Sequence, residues 1–303
     1  MIDQNLIKQI EEKYKKQGED PNTYLAGLIQ AKPITYWDYI EVDSLLSLQK
    51  PRTNFKDEKI FIYYHQVTEL LLNLVLHEAE QLVEAEVWNE SMVMNKIERI
   101  IRYTGMLSDS FDIMKFGMDY DDYNTFRTTL APASGFQSAS FRYIEIYFSR
   151  IENLINKKGK KRLSANPDIE ELFENIYWRD AGLNRETGKR TMTLQLFEEK
   201  YLNSFIKLAK KVKGRTIEER VNQMESPSKE LIDKLRELDV LYNITWPIVH
   251  LETAQFYLDK KGETKAATGG SEWKKYLHPM YQQRKFFPDL WSEEEKSNWA
   301  KNA

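Results

Sequence analysis

Ile60-Phe61-Ile62-Tyr63-Tyr64-His65-Gln66-Val67-Thr68-Glu69-Leu70-Leu71-Leu72-Asn73-Leu74-Val75-Leu76 decides the fold. Apolar side chains fall on almost every face of a 3.6-residue repeat, so residues 59–84 read as one long helix. A helix that is apolar nearly all round belongs at the centre of a bundle, and Ile60 to Leu76 is expected there. Ile97, Ile100, Ile101, Tyr103, Met106 and Leu107 mark a second helix. Phe141, Tyr143, Ile144, Ile146, Tyr147, Ile151 and Ile155 mark a third. Residues 192–212 give an amphipathic helix, and 227–260 another long one with an adjustment at Pro247. Alternating strand patterns between turn residues are missing. The expectation is an all-α, single-domain bundle over residues 1–303, with breaks near 51–57, 131–136, 156–168, 178–190 and 261–272.

The bulk composition narrows the class. A chain of 303 residues can bury a substantial core, and 41% hydrophobic with 30% charged residues is ordinary for a globular protein. Aromatics reach 13%, which suits either a large core or a pocket for flat ligands. A net charge of −3 argues against nucleic acid as the main partner. The basic run Lys157 to Arg162 has no interleaved aromatics and reads as a solvated loop. With no cysteine there are no disulfides, thiolate ligands or iron–sulfur clusters, and a reducing compartment fits. No apolar stretch approaches the ~20 residues of a membrane span, and Met1 to Asn5 does not open a signal peptide. The reading is a soluble, cytoplasmic protein.

Tyr123-Asn124-Thr125-Phe126-Arg127-Thr128-Thr129-Leu130-Ala131-Pro132-Ala133-Ser134-Gly135-Phe136-Gln137-Ser138 carries the chemistry. A guanidinium is a rigid fork of donors that fits a carboxylate bidentately. Tyr123 and Arg127 are four apart and share a helical face. The pair could hold a small carboxylated aromatic molecule, or Arg127 could simply pair with Asp121 or Asp122 on the surface.

The four histidines divide in the same way. His65 shares a face with Phe61 and Glu69, either as a core histidine bonded to Glu69 or a backbone carbonyl, or as a group held against a ligand. His250 follows the apolar run Tyr242 to Val249, a setting that suits a packed core imidazole first and an axial haem ligand second. His77 is expected to make a structural hydrogen bond, and His278 to be exposed. His-Glu-x-x-His, paired Glu-x-x-His, EF-hand and phosphate-loop motifs are all missing. The turn Thr268-Gly269-Gly270-Ser271 reads as a flexible loop that could close over a site.

Phe61 to Leu70, Phe126 to Arg142, His250 and Thr268 to Ser271, in that order, resemble the tryptophan 2,3-dioxygenase family. Tyr36-Trp37-Asp38-Tyr39-Ile40-Glu41-Val42-Asp43-Ser44-Leu45-Leu46 resembles that family's N-terminal arm, and the likeness spans roughly residues 34–291. The resemblance implies haem b, one per subunit, with His250 as axial ligand and His65 as the distal histidine facing the indole N–H. It implies that Phe61 packs on the substrate, that Arg127 clamps its carboxylate beside Tyr123, and that Thr268 binds its ammonium. Tyr36 and Tyr39, on an arm over residues 1–55, are implied to reach a neighbouring subunit's site in a homotetramer. The implied reaction inserts both atoms of O2 across the indole C2–C3 bond of L-tryptophan, giving N-formylkynurenine.

The chain departs from the family pattern around the cofactor. Trp246-Pro247-Ile248-Val249 precedes His250 where many relatives carry Arg and Phe, and Leu251-Glu252-Thr253 follows it. Phe111 takes a position that is Trp in some bacterial members, and Ser271 is followed by Glu272-Trp273. Two alternatives stay open, the first resting on these departures. One is a haem mono-oxygenase or hydroxylase of the same superfamily acting on another aromatic amino acid or indole. The other is a non-catalytic helical oligomer.

Overall fold

The computed structural model describes residues 3–184, 187–259 and 273–301, and is all-α. Among the described residues there is no strand, only the isolated bridges Ile155–Ile176 and Leu183–Arg190. The chain divides into two compact units at Lys50–Pro51. The first holds α1 (Gln4–Lys16), α2 (Pro21–Gln30), α3 (Tyr36–Tyr39) and α4 (Val42–Leu46). Asp3, Asp20 and Thr35 cap the first three of these helices with their side chains, and Tyr14 of α1 stacks on Tyr24 of α2 at 3.9 Å. Much of its apolar surface stays exposed, including Leu28, Ile29, Ile34 and Trp37.

The second unit is built on α5 (Asp57–Glu84), which packs against α6 (Glu90–Asp109) and α9 (Ala139–Phe148). Between them run α7 (Phe111–Phe116) and α8 (Tyr120–Phe126). Short helices α10 (Lys157–Lys160), α11 (Ile169–Glu174) and α12 (Tyr177–Ala181) lead to α13 (Met192–Val212), which lies on α9. Then come α14 (Ile217–Asn222), α15 (Lys229–Val240) against α6, and α16 (Trp246–Leu258). α17 (Trp273–Leu277), α18 (Pro279–Gln282) and α19 (Glu293–Ser297) close the chain.

Local chemistry sets the starts of these helices. Asn89, Asp119, Ser138, Thr191 and Ser228 each accept a first-turn amide with the side chain. α5 has no such cap. Instead Glu58, buried in its first turn, accepts the Arg52 and Thr53 amides at 2.8 Å and the Thr53 hydroxyl at 2.6 Å. Burial alone would raise its pKa, but these bonds hold it below the ordinary carboxylate value.

Two expectations need correction. Ile60–Leu76 is not enclosed on every side: Val67, Leu70 and Leu74 are 39%, 54% and 43% exposed. They lie at i, i+3 and i+7, a stripe that neither α6 nor α9 covers, while Leu71, Leu72 and Val75 fill the core. The helix expected from Phe141 to Ile155 stops at Phe148. Ser149 is extended (φ −139°, ψ 152°) because the Glu218 carboxylate captures its hydroxyl at 3.0 Å and the next amide at 2.9 Å. A separate 3₁₀ turn, Ile151–Leu154, follows.

The adjustment expected at Pro247 is present as a π turn, Leu241–Thr245, joining α15 to α16. Proline has no amide to give the Asn243 carbonyl and its ring crowds that oxygen, so the winding loosens one turn earlier. Asp239, just before the turn, is fully buried and accepts from the Asn243 side chain, the Phe286 and Phe287 amides and the Trp291 indole N–H at 2.8–3.2 Å. The C-terminal segment is thereby fastened to the end of α15.

Candidate functional site

α5 presents Phe61 and His65 on one face. The His65 Nδ1–H donates to the Phe61 carbonyl at 2.8 Å, and the two rings lie 4.1 Å apart. A carbonyl can only accept, so Nδ1 carries the proton and Nε2 keeps its lone pair. Of the partners expected from sequence, the backbone carbonyl is the one that bonds the ring. Glu69 acts through its charge alone, raising a pKa that desolvation lowers more. His65 is therefore a neutral imidazole with an acceptor nitrogen.

His250 lies on α16, with Pro247 in the helix's first turn. Its ring stacks on Phe111 at 5.2 Å and 29°. Desolvation, followed by repulsion from His65, drives its pKa down to about 4. Tyr64 stands edge-on to His65 at 5.1 Å and lies 5.5 Å from Phe111, so four rings run unbroken from one histidine to the other. Both imidazoles retain some exposure. Among the described residues no hydrogen bond engages the His250 ring, and no group of three or more His, Asp and Glu side chains could hold a metal.

Arg127 opens a 3₁₀ turn directly after α8 and is buried. It hydrogen-bonds the Tyr123 phenol, whose pKa burial raises despite that cation. The two share a face, as their spacing predicts. Behind them Phe126 is fully buried, 5.7 Å from Phe61, and Tyr123 lies 6.0 Å from Phe61. The turn that follows is clamped by α13: the Thr193 hydroxyl donates to the Pro132 carbonyl at 2.9 Å, and the Gln137 side chain to the Thr193 carbonyl at 3.2 Å. A Ser134–Gln137 capping box fixes its exit. Phe61, His65, Tyr123, Arg127 and His250 are thus brought into one aromatic neighbourhood.

The other expected residues fall elsewhere. Thr268 and its loop lie outside the described residues. Tyr36 and Tyr39 are 72% and 75% exposed in the first unit. His77 is exposed on α5, where its imidazole lines a cleft of about 520 Å³ with Glu80 and Tyr147. His278 is not fully exposed as expected; its Nδ1 accepts the Met280 amide at 3.2 Å and caps α18.

Sequence reasoning assigned no role to a buried cluster beside this neighbourhood. Arg142 donates to the Tyr177 hydroxyl at 2.5 Å, which donates to Glu145 at 2.5 Å, and Arg284 donates to Glu145 at 2.6 Å. Two guanidiniums thus share one carboxylate, leaving a surplus positive charge in the interior. Among the described residues, Arg142 Nε, the Tyr242 hydroxyl and the Trp246 indole N–H are buried and find no partner. Trp246 sits one turn before His250, and its ring packs on Phe141 at 5.0 Å and Tyr242 at 5.3 Å. Arg142 stood at the end of the quoted motif, but Arg284 is 142 positions away and carried no signal.

The arrangement fits haem. A neutral imidazole in an aromatic setting is an axial-ligand environment, and a donor surplus beside it suits the cofactor's carboxylates.

Comparison with known proteins gives the family. A family model described as tryptophan 2,3-dioxygenase matches residues 28–239. The curated tryptophan 2,3-dioxygenase of Ruegeria pomeroyi is 27% identical over 284 residues, covering 91% of this chain and 97% of that protein. That of a Bacillus cereus strain is 27% identical, covering 86% and 91%. The Erythrobacter litoralis protein of the same name is also 27% identical, covering 86% and 98%.

Proposed function

The chain belongs to the tryptophan 2,3-dioxygenase family of oxidoreductases, and from that premise we propose that it converts L-tryptophan and O2 to N-formylkynurenine, the opening step of tryptophan catabolism. The observation that carries the proposal is the pairing of two neutral imidazoles, His65 and His250, joined through aromatic rings next to the Tyr123–Arg127 pair.

Haem b, when bound, supplies the iron that activates dioxygen. His250 would hold that iron through a lone pair that stays unprotonated well below neutral pH. Arg142 and Trp246, each with a donor that finds no partner among the described residues, would hold the haem carboxylates. The remaining chemistry of the chain is orientation. Arg127 binds the substrate carboxylate bidentately, and Tyr123 fixes the guanidinium. Phe61 packs on the indole face. His65, protonated on Nδ1, accepts the indole N–H at Nε2, so the ring has one permitted direction. Thr268 binds the ammonium. Fixing both ends of the substrate turns an encounter into a near-unimolecular step, the contribution such a site makes best. Tyr36 and Tyr39 present apolar surface that a partner would cover in a cytoplasmic homotetramer.

The test is turnover of L-tryptophan by the haem-loaded protein under isotopically labelled O2. Two labelled oxygens in N-formylkynurenine are expected. A product with one labelled oxygen would establish the mono-oxygenase alternative that the residues around His250 leave open. A protein that takes up no haem would sink the enzymatic reading.

His65→Ala separates a distal histidine from a core histidine. Haem loading and melting temperature should hold while kcat falls, and 1-methyl-tryptophan, lacking the N–H, should distinguish the two proteins less than tryptophan does. A core histidine would instead lose roughly 2–4 kcal/mol of stability with specific activity unchanged. Melts run beside kinetics decide between them.

A further inference from the structure

The helix that carries His250 also reaches the Tyr123–Arg127 pair. Tyr257 lies on α16 seven residues after His250, two turns along the same face. It is 1% exposed, and its ring sits 4.3 Å from the ring of Tyr123 at 51°. On its other side it stacks on Tyr120 at 5.9 Å and 10°. The hydroxyl is anchored, donating to the Met114 carbonyl at 2.5 Å with the Met118 carbonyl at 3.4 Å. The backbone is tied as well, since the Asn124 side chain donates to the Tyr257 carbonyl at 3.3 Å. A phenol so fully engaged has no atom to spare for substrate. What it does have is the closest aromatic contact made by Tyr123.

We propose that Tyr257 is a positioning residue for substrate selection: its ring holds Tyr123, and through it Arg127, in the one geometry that accepts an α-carboxylate. The role rests on the proposed function, since it assumes that Arg127 meets a substrate carboxylate. Arginine has many rotamers and a bidentate contact needs one of them, so a partner that is itself wedged in place raises the fraction of molecules ready to bind. Because Tyr257 and His250 share a rigid helix, the selection of carboxylate ligands is tied to the seating of the axial ligand. By linkage, whatever fixes α16 at His250 also favours carboxylate binding at Arg127, and the reverse holds.

Calorimetric titration of the haem-loaded protein with L-tryptophan and with tryptamine, which lacks the carboxylate, tests this. Tyr257→Leu removes the ring contact and is expected to weaken L-tryptophan binding on the order of 10-fold, the equivalent of about 1.4 kcal/mol. Tryptamine affinity and the haem spectrum should stay as in the wild type, and in turnover KM should rise while kcat holds. Tyr257→Phe keeps the ring and drops only its anchor, so a selective loss of about threefold is expected. Should the leucine variant not fold, the phenylalanine variant decides alone. Equal losses for both ligands, or no loss for either, would overturn the positioning role while leaving the proposed function intact. A wild type that binds tryptamine as tightly as L-tryptophan, or binds neither, overturns the Arg127 clamp and Tyr257's role with it.

Discussion

Replacing His250 by alanine is expected to give a folded protein that no longer shows an imidazole-ligated haem spectrum and no longer turns over tryptophan. The imidazole retains some exposure and touches its neighbours through Phe111, so its removal spares the buried cores of α5, α6 and α9. In the proposed role, its loss falls on the cofactor. Axial ligation sets the iron's position and potential, and even outer partners of a metal ligand commonly cost 10–100-fold when removed. Loss of the ligand itself should therefore exceed ~100-fold in activity. Added imidazole, entering the space left behind, should restore part of the spectrum. Full haem occupancy with an unchanged spectrum would show that some other residue binds the iron.

The second large effect belongs to Arg127. Removing one side of a buried, charge-assisted contact typically costs on the order of 2–5 kcal/mol, because the other charge is left without a partner. Arg127→Leu should lower kcat/KM for L-tryptophan by roughly 30-fold to several thousand-fold. Substrates without a carboxylate bring no negative charge to strand, so tryptamine and simple indoles should change little. Equal losses for both classes would mean that Arg127 serves the fold, through Tyr123, and not the ligand. The melting curve checks this independently, since the lost Tyr123 hydrogen bond costs only about 1 kcal/mol.

Much of this arrangement was legible because it is local. The 3.6-residue pattern gave α5, α6, α13 and the α15–α16 pair, and spacings of four put Phe61 with His65 and Tyr123 with Arg127. Pro247 announced the irregularity ahead of His250 through chemistry that proline carries anywhere. What stayed hidden depends on contacts between distant segments. Nothing in the run Phe141 to Ile155 says that Ser149 leaves the helix, because the cause is Glu218, 69 positions away. The open face of α5 at Val67, Leu70 and Leu74 is invisible to a pattern that counts apolar residues without knowing how many neighbours will pack. Tyr257 and Arg284 gave no sign for the same reason: each matters through a partner more than a hundred positions off. The α1 and α2 helices escaped for a different reason, as neither carries the long apolar run by which the others were found.

The π turn at Leu241–Thr245 fixes more than the path of the chain. Each residue advances an α-helix by about 100°, so one residue more or fewer between Asp239 and Trp246 rotates everything beyond it by that angle. Asp239 is pinned by Asn243 and by three donors from the C-terminal segment, and cannot turn to compensate. With Pro247 still barring regular winding, a single-codon deletion in this stretch would swing His250 and Tyr257 together away from Phe111 and Tyr123. The site thus tolerates exchange of side chains around His250, as its Trp-Pro-Ile-Val approach already illustrates, far better than a change in the count of residues leading to it.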